Sequence, residues 1–263
     1  MSRSAWGKKE VLIALDNIGI NARSKIFIHS NLGPLGKVNS SSANPQQLIL
    51  DVIEEMVGAS GCLILPAFTY SFGKKDIFEP MNAKGIAEMG ALSIEAFNRN
   101  YMRSIDPMFS LLGYGAKCEE YLRIDSKQSH GPGSSFSKIM DNDFVILNIN
   151  TGFASTLLHE IEFRNHVSYR YMKNFTGWQI TNIRGKVEKL TWKAFVNNEY
   201  IHKSQADFSR FNVECRNSDL IKFSKLGSGY ISGQTTNDLQ VFTKNLLQKD
   251  PWILTRKGKP DKN

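Results

Sequence analysis

Three short, mainly apolar runs constrain the fold more than any other feature of the sequence. They span residues 26–29, 62–65 and 144–147, and turn residues lie close to each of them. Short runs of this kind are typical of strands that are buried on both faces. Segments with helical features precede them, and this alternation predicts an α/β fold in which helices flank a layered, mostly parallel central sheet.

The remaining elements are predicted from periodicity and from helix start and stop residues. The sequence predicts helices over residues 8–18, 45–57, 91–97, 135–140, 205–211 and 237–248. It also predicts a strand near residues 109–112. Polar and apolar residues alternate in segments after residue 167, such as residues 189–195, which indicates an additional antiparallel strand region in the second half. No repeat or low-complexity linker interrupts the chain, so we expect a single domain.

The net charge is unevenly distributed along the chain. The sequence has 33 Lys and Arg against 25 Asp and Glu, a formal charge of +8. Residues 1–159 hold 15 basic and 15 acidic side chains, whereas residues 160–263 hold 18 basic and 10 acidic ones, so the excess lies in the second part. About +3 belongs to residues 256–262, predicted to be a frayed tail. The remaining +5 predicts an anionic partner or ligand.

Cysteine usage and hydropathy point to a cytoplasmic protein. Cys62, Cys118 and Cys215 cannot all pair within one chain, and none has a spacing suited to zinc, so we expect reduced thiols. The first residues lack the continuous apolar core of a signal peptide, and no stretch approaches the roughly 20 apolar residues of a membrane span. We therefore expect no membrane partner. Basic residues are scattered instead of clustered and the chain has no recognised nucleic-acid-binding motif, so a nucleic acid is not an expected partner either.

Three loop segments have residues suited to ligand binding. Ser30, Asn31, Leu32 and Gly33 follow the first predicted strand, where backbone N–H groups could lie against an anion; the simpler alternative is a tight structural turn. Residues 130–135 contain a Gly-Pro-Gly turn, followed by a serine that could cap the next helix. A third segment contains Arg103, which is either a phosphate ligand or a solvated charge.

A fourth segment carries the candidate general base. If residues 156–164 are helical, His159 and Glu162 lie three positions apart on one face, so that the carboxylate can orient the imidazole. The alternative is a structural histidine. Phe163 stands where the zinc motif HExxH has its second histidine, so we expect no metal. The chain also lacks the GxSxG motif of serine hydrolases.

Taken together and in this order, these segments resemble the aminoglycoside 3-N-acetyltransferase family. The similarity covers about residues 5–175. The matching pieces are HSNL at residues 29–32, LILPAFT at 63–69, MGAL at 89–92, MRSIDP at 102–107, GPGSS at 131–135 and TLLHEIE at 156–162. Each match is short and weak alone, but six matches in the same order along the chain make the resemblance specific.

The resemblance implies an N-acyltransferase that uses acetyl-CoA or another short acyl-CoA, without a metal. It assigns His159 as the base at the amine. Glu162 is the carboxylate that the helical spacing places beside it, and Thr69 is one candidate for stabilising the oxyanion. An attacking amine must be uncharged, so such a base is needed near neutral pH. Residues along the pantetheine and phosphates would be Ser30, Asn31, Leu32, Gly33, Arg103 and Ser104.

The sequence departs from the family pattern at three places. Asp106 stands where the family has a histidine, and Asn31 replaces a hydroxyl residue. Residues 192–199 align with a strand that carries carboxylates in some members, but here Lys and Asn mostly replace them and Glu199 is the acidic candidate that remains. The resemblance divides the single domain 1–263 into a CoA-binding core of about residues 1–165, an acceptor-side elaboration of about 166–255 and a tail of 256–263.

The positive charge of the acceptor-side part argues for an anionic acceptor. Tyr169, Arg170, Tyr171 and Lys173 interleave cations with aromatic rings, which suits stacking on a base or sugar and pairing with a phosphate; the alternative is surface charge and packing. We therefore expect a nucleotide-linked amino sugar, acylated for a surface polysaccharide such as the O-antigen of lipopolysaccharide. One alternative is aminoglycoside 3-N-acetylation and antibiotic resistance, and a second is a non-catalytic protein that keeps the CoA fold.

Overall fold

Helices and strands alternate through the first part of the chain. The computed structural model describes residues 5–39, 44–82, 86–181 and 185–258. The helices are α1 (Lys8–Asn17), α2 (Pro45–Val57), α3 (Ala91–Asn98), α4 (Glu119–Leu122), α5 (Ser135–Met140), α6 (Leu158–Arg164), α7 (Ser209–Arg216) and α8 (Thr236–Lys249). The strands are β1 (Lys25–Ser30), β2 (Cys62–Pro66), β3 (Met102–Arg103), β4 (Leu111–Tyr114), β5 (Val145–Ile149), β6 (Arg170–Ile180), β7 (Val187–Asn197), β8 (Lys222–Leu226) and β9 (Gly229–Thr235).

Seven of these strands form one sheet with the order β3-β4-β2-β1-β5-β9-β8. β1 lies at its centre and pairs in parallel with both β2 and β5. β4 and β9 run in the opposite direction, and β3 and β8 run again in the direction of β1. Five of the seven strands therefore share one direction. This confirms the mostly parallel sheet that the sequence predicts, although parallel pairing is confined to the three central strands.

Alternate residues of the central strands pack on opposite faces of the sheet. Ile26 and Ile28 of β1 belong to a core with α1, α2 and α3, whereas Phe27 belongs to a second core on the side of α4 to α8. Burial on both faces explains why these strands are continuous apolar runs in the sequence. Among the described residues, no helix is long and apolar enough to cross a lipid bilayer, and the three cysteines are free and buried.

The second half adds antiparallel structure, as predicted. β6 and β7 form a two-stranded ribbon that pairs Arg170 with Asn197 at one end and Ile180 with Val187 at the other. Trp192 of this ribbon packs with Phe78 in a third, smaller core. β8 and β9 extend the main sheet beyond β5, so the C-terminal part shares the sheet of the core.

Three predicted elements differ from the observed ones. The strand expected at 109–112 starts later, at Leu111, because Asp106 holds the preceding residues in a turn by accepting the N–H of Phe109 at 3.0 Å. The helix expected from residue 205 begins at Ser209, since the residues before it pair with residues 254–256. The tail is structured through residue 258 as a 3₁₀ turn and is not frayed there; residues 259–263 lie outside the described part.

The turn between β8 and β9 supports the loop that follows β1. Ser228 donates its backbone N–H to the carbonyl oxygen of Leu35 at 2.9 Å. Gly227 has a φ of +58°, and a Cβ added there would overlap this same carbonyl oxygen and the ring of Trp6. The close approach of the two loops therefore requires glycine at position 227.

We expect Gly227→Ala to lower the free energy of unfolding by about 3 kcal/mol, because a left-handed backbone and a steric overlap act together. Gly58→Ala is the matched control: Gly58 has a φ of +67° but open space around the missing Cβ, so its loss should be about 1 kcal/mol. Urea denaturation of both variants and the wild type measures the difference. Equal losses would show that the approach to Leu35 contributes nothing.

Candidate active site

The carboxyl ends of the three central strands meet at one edge of the sheet. The chain continues from β1 to β2 on one side and later enters β5 on the other, which makes this edge the point where ligands bind in open α/β sheets. A cavity of about 340 Å³ lies there, which we call the central cavity. Its lining residues are His29, Ser30, Pro66, Phe68, Tyr70, Glu88, Met89, Thr151 and Ala154.

A second cavity of about 330 Å³ adjoins the first at the turn after β1. Residues lining this turn cavity are Ser30, Asn31, Leu32, Gly33, Glu88, Met89, Gly90 and Ala91. The structure thus brings together the four turn residues predicted from the sequence. Gly90 precedes α3 and has no side chain to cap it, so the first N–H groups of this helix are available to an anion or a carbonyl oxygen of a ligand.

A third cavity, also about 330 Å³, is rich in carboxylates. This acidic cavity is lined by Thr69, Ser71, Lys74, Asp76, Ile77, Phe78, Glu79, Asn82, Glu88 and Ile180. Among the lining residues that the structure describes, three carboxylates and one lysine give a formal charge of −2. Glu88 belongs to the lining of all three cavities, so they adjoin along one cleft, and the acidic cavity carries the opposite sign to the chain as a whole.

His159 and Glu162 lie together on α6, as their spacing predicts. The Nδ1 atom of His159 is 2.6 Å from Oε2 of Glu162. An ionised carboxylate only accepts hydrogen bonds, so Nδ1 carries the proton and Nε2 keeps a free lone pair. The His159 side chain is 16% exposed and that of Glu162 is fully buried. This is the arrangement of an oriented general base.

Two residues at the start of the ribbon hold the other side of Glu162. Tyr169 donates its hydroxyl to Oε1 of Glu162 at 2.9 Å, and Nε of Arg170 forms an ion pair with Oε2 at 2.8 Å. Arg170 also donates to the carbonyl oxygen of Phe195. Both side chains are buried, and their polar groups face the protein instead of a ligand.

The other two predicted substrate contacts lie on the exposed part of β6. The Tyr171 and Lys173 side chains reach solvent, and Nζ of Lys173 is 5.5 Å from the ring centroid of Phe175. Neither residue belongs to the lining of the three cavities. The four-residue group predicted from the sequence is therefore divided: Tyr169 and Arg170 hold Glu162 beside His159, and Tyr171 and Lys173 lie elsewhere.

Burial and neighbouring charges set the protonation of the pair. Burial lowers the pKa of His159, the Arg170 charge lowers it further, and Glu162 offsets this only in part. Burial by itself raises the pKa of Glu162, but His159, Arg170 and Tyr169 more than compensate, so the pKa is lowered. At neutral pH the imidazole is therefore neutral and the carboxylate is charged, as a base and its orienting partner must be.

Sequence analysis missed two other histidines near this site. His29, at the end of β1, has Nε2 3.0 Å from Oγ of Ser155, and burial lowers the pKa of His29 to about 4. Ser155 precedes α6 by one turn, so this contact connects the central cavity to the helix that carries His159. His159 itself is not among the residues that line the three cavities; it lies just beyond Ser155 along the chain.

His130 is the second of these. Its ring stacks on Phe136, with centroids 4.9 Å apart, and meets the edge of the His159 ring at 6.2 Å. It is fully buried, and neither ring nitrogen has a hydrogen-bond partner among the described residues. Burial, then His159 and Arg170, hold the pKa of His130 well below its ordinary value. The sequence marked this segment for its glycines, and a neutral packing histidine has no sequence signal.

The Gly-Pro-Gly turn beside His130 positions α6, the helix that carries His159. Gly131 donates its backbone N–H to Oε2 of Glu160 at 2.7 Å, and Glu160 in turn pairs with Arg164. Ser134 caps α5 by accepting the N–H of Ser137, as its place in the sequence suggests.

Arg103 and Ser104 are occupied within the protein. Nitrogens of the Arg103 guanidinium donate to the carbonyl oxygens of Ala67, Pro80 and Asn82 and to the hydroxyl of Ser110. Its central carbon also lies 5.2 Å from the Phe78 ring centroid. Ser104 is buried, and its hydroxyl accepts the N–H of Leu111. These contacts explain both residues structurally, without a phosphate.

Thr69 and Asp106 also have structural partners. Thr69 lines the acidic cavity, but its hydroxyl donates to the carbonyl oxygen of Pro107 at 3.1 Å. Asp106 is buried and accepts the N–H groups of Met108 and Phe109, while burial raises its pKa. Glu199 is exposed and lies on the turn after β7, so the carboxylate that supports His159 is Glu162. Among the described residues, no group of His, Cys, Asp and Glu is arranged to hold a metal ion.

Comparison with known proteins decides the family. A family model described as aminoglycoside 3-N-acetyltransferase matches residues 27–248. The chain belongs to the aminoglycoside 3-N-acetyltransferase family. It is an N-acetyltransferase of the acetyl-CoA-dependent kind, not a non-catalytic protein. A search of curated proteins gives no match.

Solved structures share the fold of this acetyltransferase at low sequence identity. The aminoglycoside acetyltransferase AAC(3)-IVa, as apoenzyme, is 19% identical over 96% of this chain and 92% of its own, with a TM-score of 0.74. AAC-IIIb in a binary complex with CoASH is 16% identical over 94% of this chain and 97% of its own, with a TM-score of 0.78. The YokD protein from Bacillus subtilis is 15% identical, over 94% and 95%, with a TM-score of 0.74.

We expect His159→Ala to lower kcat of this acetyltransferase by about 10²- to 10⁴-fold, because the attacking amine loses its proton acceptor. The dissociation constant of acetyl-CoA should change by less than about twofold, as measured by calorimetry. His202→Ala is the control, since His202 is exposed and should leave both quantities unchanged. Full turnover by His159→Ala would exclude His159 as the base.

The acidic limb of the pH profile of kcat/KM should move in opposite directions when Glu162 and Arg170, the two charged neighbours of His159, are replaced. Activity should fall as the pH falls through the pKa of His159, which burial and the Arg170 charge hold below its ordinary value. Glu162→Gln removes the charge that favours the imidazolium, so the limb should move to lower pH; Arg170→Met removes the charge that opposes it, so the limb should move to higher pH. Each shift should be roughly half to one pH unit. A pH–rate profile whose limb moves the same way in both variants would contradict this electrostatic account.

Proposed function

We propose that the protein transfers the acetyl group of acetyl-CoA to an amino group of an aminoglycoside, with His159 as the general base. The observation that carries the choice of acceptor is the acidic cavity, with Asp76, Glu79 and Glu88 against Lys74. An aminoglycoside carries several ammonium groups, and a cavity of opposite charge both attracts and orients it.

Related structures support this choice of acceptor. AAC(3)-IVa has been solved, in a histidine-to-alanine mutant, in complex with a gentamicin, at 20% identity to this chain and a TM-score of 0.74. AAC-VIa has been solved bound to sisomicin, at 17% identity and a TM-score of 0.77. Both ligands are polycationic amino sugars, the chemical class that the acidic cavity suits.

The nucleotide-linked amino sugar expected from the charge distribution lacks support. Arg164 is paired with Glu160 and Asp141, Arg170 with Glu162, and Arg210 with Asp250. These three arginines are thus occupied by carboxylates of the protein, and none of them lines the three cavities. The aminoglycoside alternative fits the cleft better.

The turn cavity suits the acyl donor. Backbone groups of residues 31–33 and the start of α3 surround it, and the N–H groups of that helix can donate to carbonyl or phosphate oxygens. Bound acetyl-CoA supplies a thioester carbonyl at the reaction centre. Because Arg103 is occupied by protein acceptors, we assign the donor contacts to Ser30, Asn31, Leu32 and Gly33 and leave Arg103 and Ser104 as supports of the cleft wall.

In the proposed reaction, His159 Nε2 takes a proton from the acceptor amine as its nitrogen attacks the thioester carbon. The new C–N bond forms, the C–S bond breaks, and the sulfur leaves as a thiolate that recovers a proton afterwards. Glu162 stabilises the imidazolium that His159 becomes, and Arg170 and Tyr169 keep that carboxylate in place. Thr69 stays a candidate for the oxyanion only if its hydroxyl turns away from Pro107.

Steady-state kinetics with acetyl-CoA and a panel of amines tests the proposal. We expect kcat/KM for sisomicin and gentamicin to exceed that for a nucleotide-diphosphate-linked amino sugar by about 100-fold or more. KM for the aminoglycosides should rise with ionic strength, since salt screens the charges of the cleft. Turnover of the nucleotide sugar without turnover of any aminoglycoside would overturn the proposal.

A further inference from the structure

Glu88 occupies a special place in the cleft, because it lines all three cavities. It lies on the 3₁₀ helix Ile86–Met89, directly before α3. Its carboxylate accepts hydrogen bonds from Nζ of Lys74 at 3.1 and 3.3 Å. Lys74 belongs to the loop after β2, so the ion pair joins two segments that border the cleft.

The ion pair is formed at the cleft surface. The side chains of Lys74 and Glu88 are 43% and 57% exposed, and ion pairs in such surroundings contribute little to stability. Nζ of Lys74 also lies 5.9 Å from the ring centroid of Tyr70, which lines the central cavity. An ammonium group of the protein thus lies where the acidic and central cavities adjoin.

We propose that Glu88 is a specificity-determining residue, which exchanges the Lys74 ammonium for an ammonium group of the acceptor when the acceptor binds. The inference rests on the proposed function, since it takes the acceptor to be a polycationic amino sugar. Glu88 keeps a cationic partner in both states, and Lys74 turns into solvent. An anionic acceptor cannot make this exchange, so the pair discriminates against it.

The two ends of the ion pair should respond with opposite signs. Glu88→Gln should raise KM for sisomicin about tenfold, because a charge-assisted hydrogen bond to the acceptor is lost. Lys74→Met should lower it by about threefold, since the competing cation is removed. The double variant should behave like Glu88→Gln, because replacing Lys74 has no further effect once the carboxylate that it covers is gone. KM for acetyl-CoA should stay within about twofold in Lys74→Met, because Lys74 does not line the turn cavity.

A structural ion pair predicts something different. If the Lys74–Glu88 contact only stabilised the loop, both single variants would weaken sisomicin binding, and their melting temperatures would fall together. Glu55→Gln is the matched control, since the pair between Lys8 and Glu55 is similarly exposed, with side chains 55% and 61% accessible, and lies outside the three cavities. It should leave KM for sisomicin unchanged.

The signs of the KM shifts in Lys74→Met and Glu88→Gln support or overturn the exchange. Opposite shifts in the two single variants support it, and shifts of the same sign, or none, overturn it while leaving the proposed function intact. If the wild type fails to acetylate sisomicin, the proposed function fails, and calorimetric binding of the trication spermidine to the same proteins then decides the role of Glu88. Opposite shifts of that dissociation constant support the exchange, whereas equal shifts or no binding by the wild type overturn it.

Discussion

The structure depends on the parallel pairing of β1 with β2 and β5 at the centre of the sheet. Parallel neighbours need crossover connections, which place helices on both faces and bury both sides of the strands. The same arrangement brings three strand ends to one edge of the sheet. The cleft is formed by the loops that follow, so its existence follows from the topology and its chemistry from the loop residues.

A second constraint is the burial of the Glu162 carboxylate. An ionised group without solvent needs partners, and Glu162 has His159 from its own helix and Tyr169 and Arg170 from the start of the ribbon. The contacts that satisfy the buried charge therefore also attach β6 to the core and hold the imidazole in one orientation. The same interactions therefore stabilise the ribbon and orient the His159 imidazole.

Sequence analysis predicted what depends on neighbours in the chain. Helix limits such as those of α2 and α5, the buried strands and the His159–Glu162 pair all follow from short-range spacing. The environments of Arg103 and Arg170 do not, because their partners include groups that lie far away in sequence: Arg103 binds carbonyls 21 to 36 positions away. Nothing local distinguishes an arginine that reaches solvent from one that is enclosed by backbone oxygens. The pairing of β9 with β5 likewise joins residues that lie far apart in the sequence.

The net charge of a segment does not predict the charge of the cleft, again because long-range contacts decide which residues lie together. The excess of +8 lies in residues 160–263, yet arginines there are paired with carboxylates of both halves, Arg164 with Asp141 and Arg210 with Asp250 among them. The carboxylates of the acidic cavity come from residues 76–88, in the part of the chain that sums to zero. Water and salt screen charges beyond roughly 10 Å, whereas charges that line a cavity act directly on its ligand. The acceptor must therefore complement the local charge of the cleft, and a sum over half of the sequence carries no information about it.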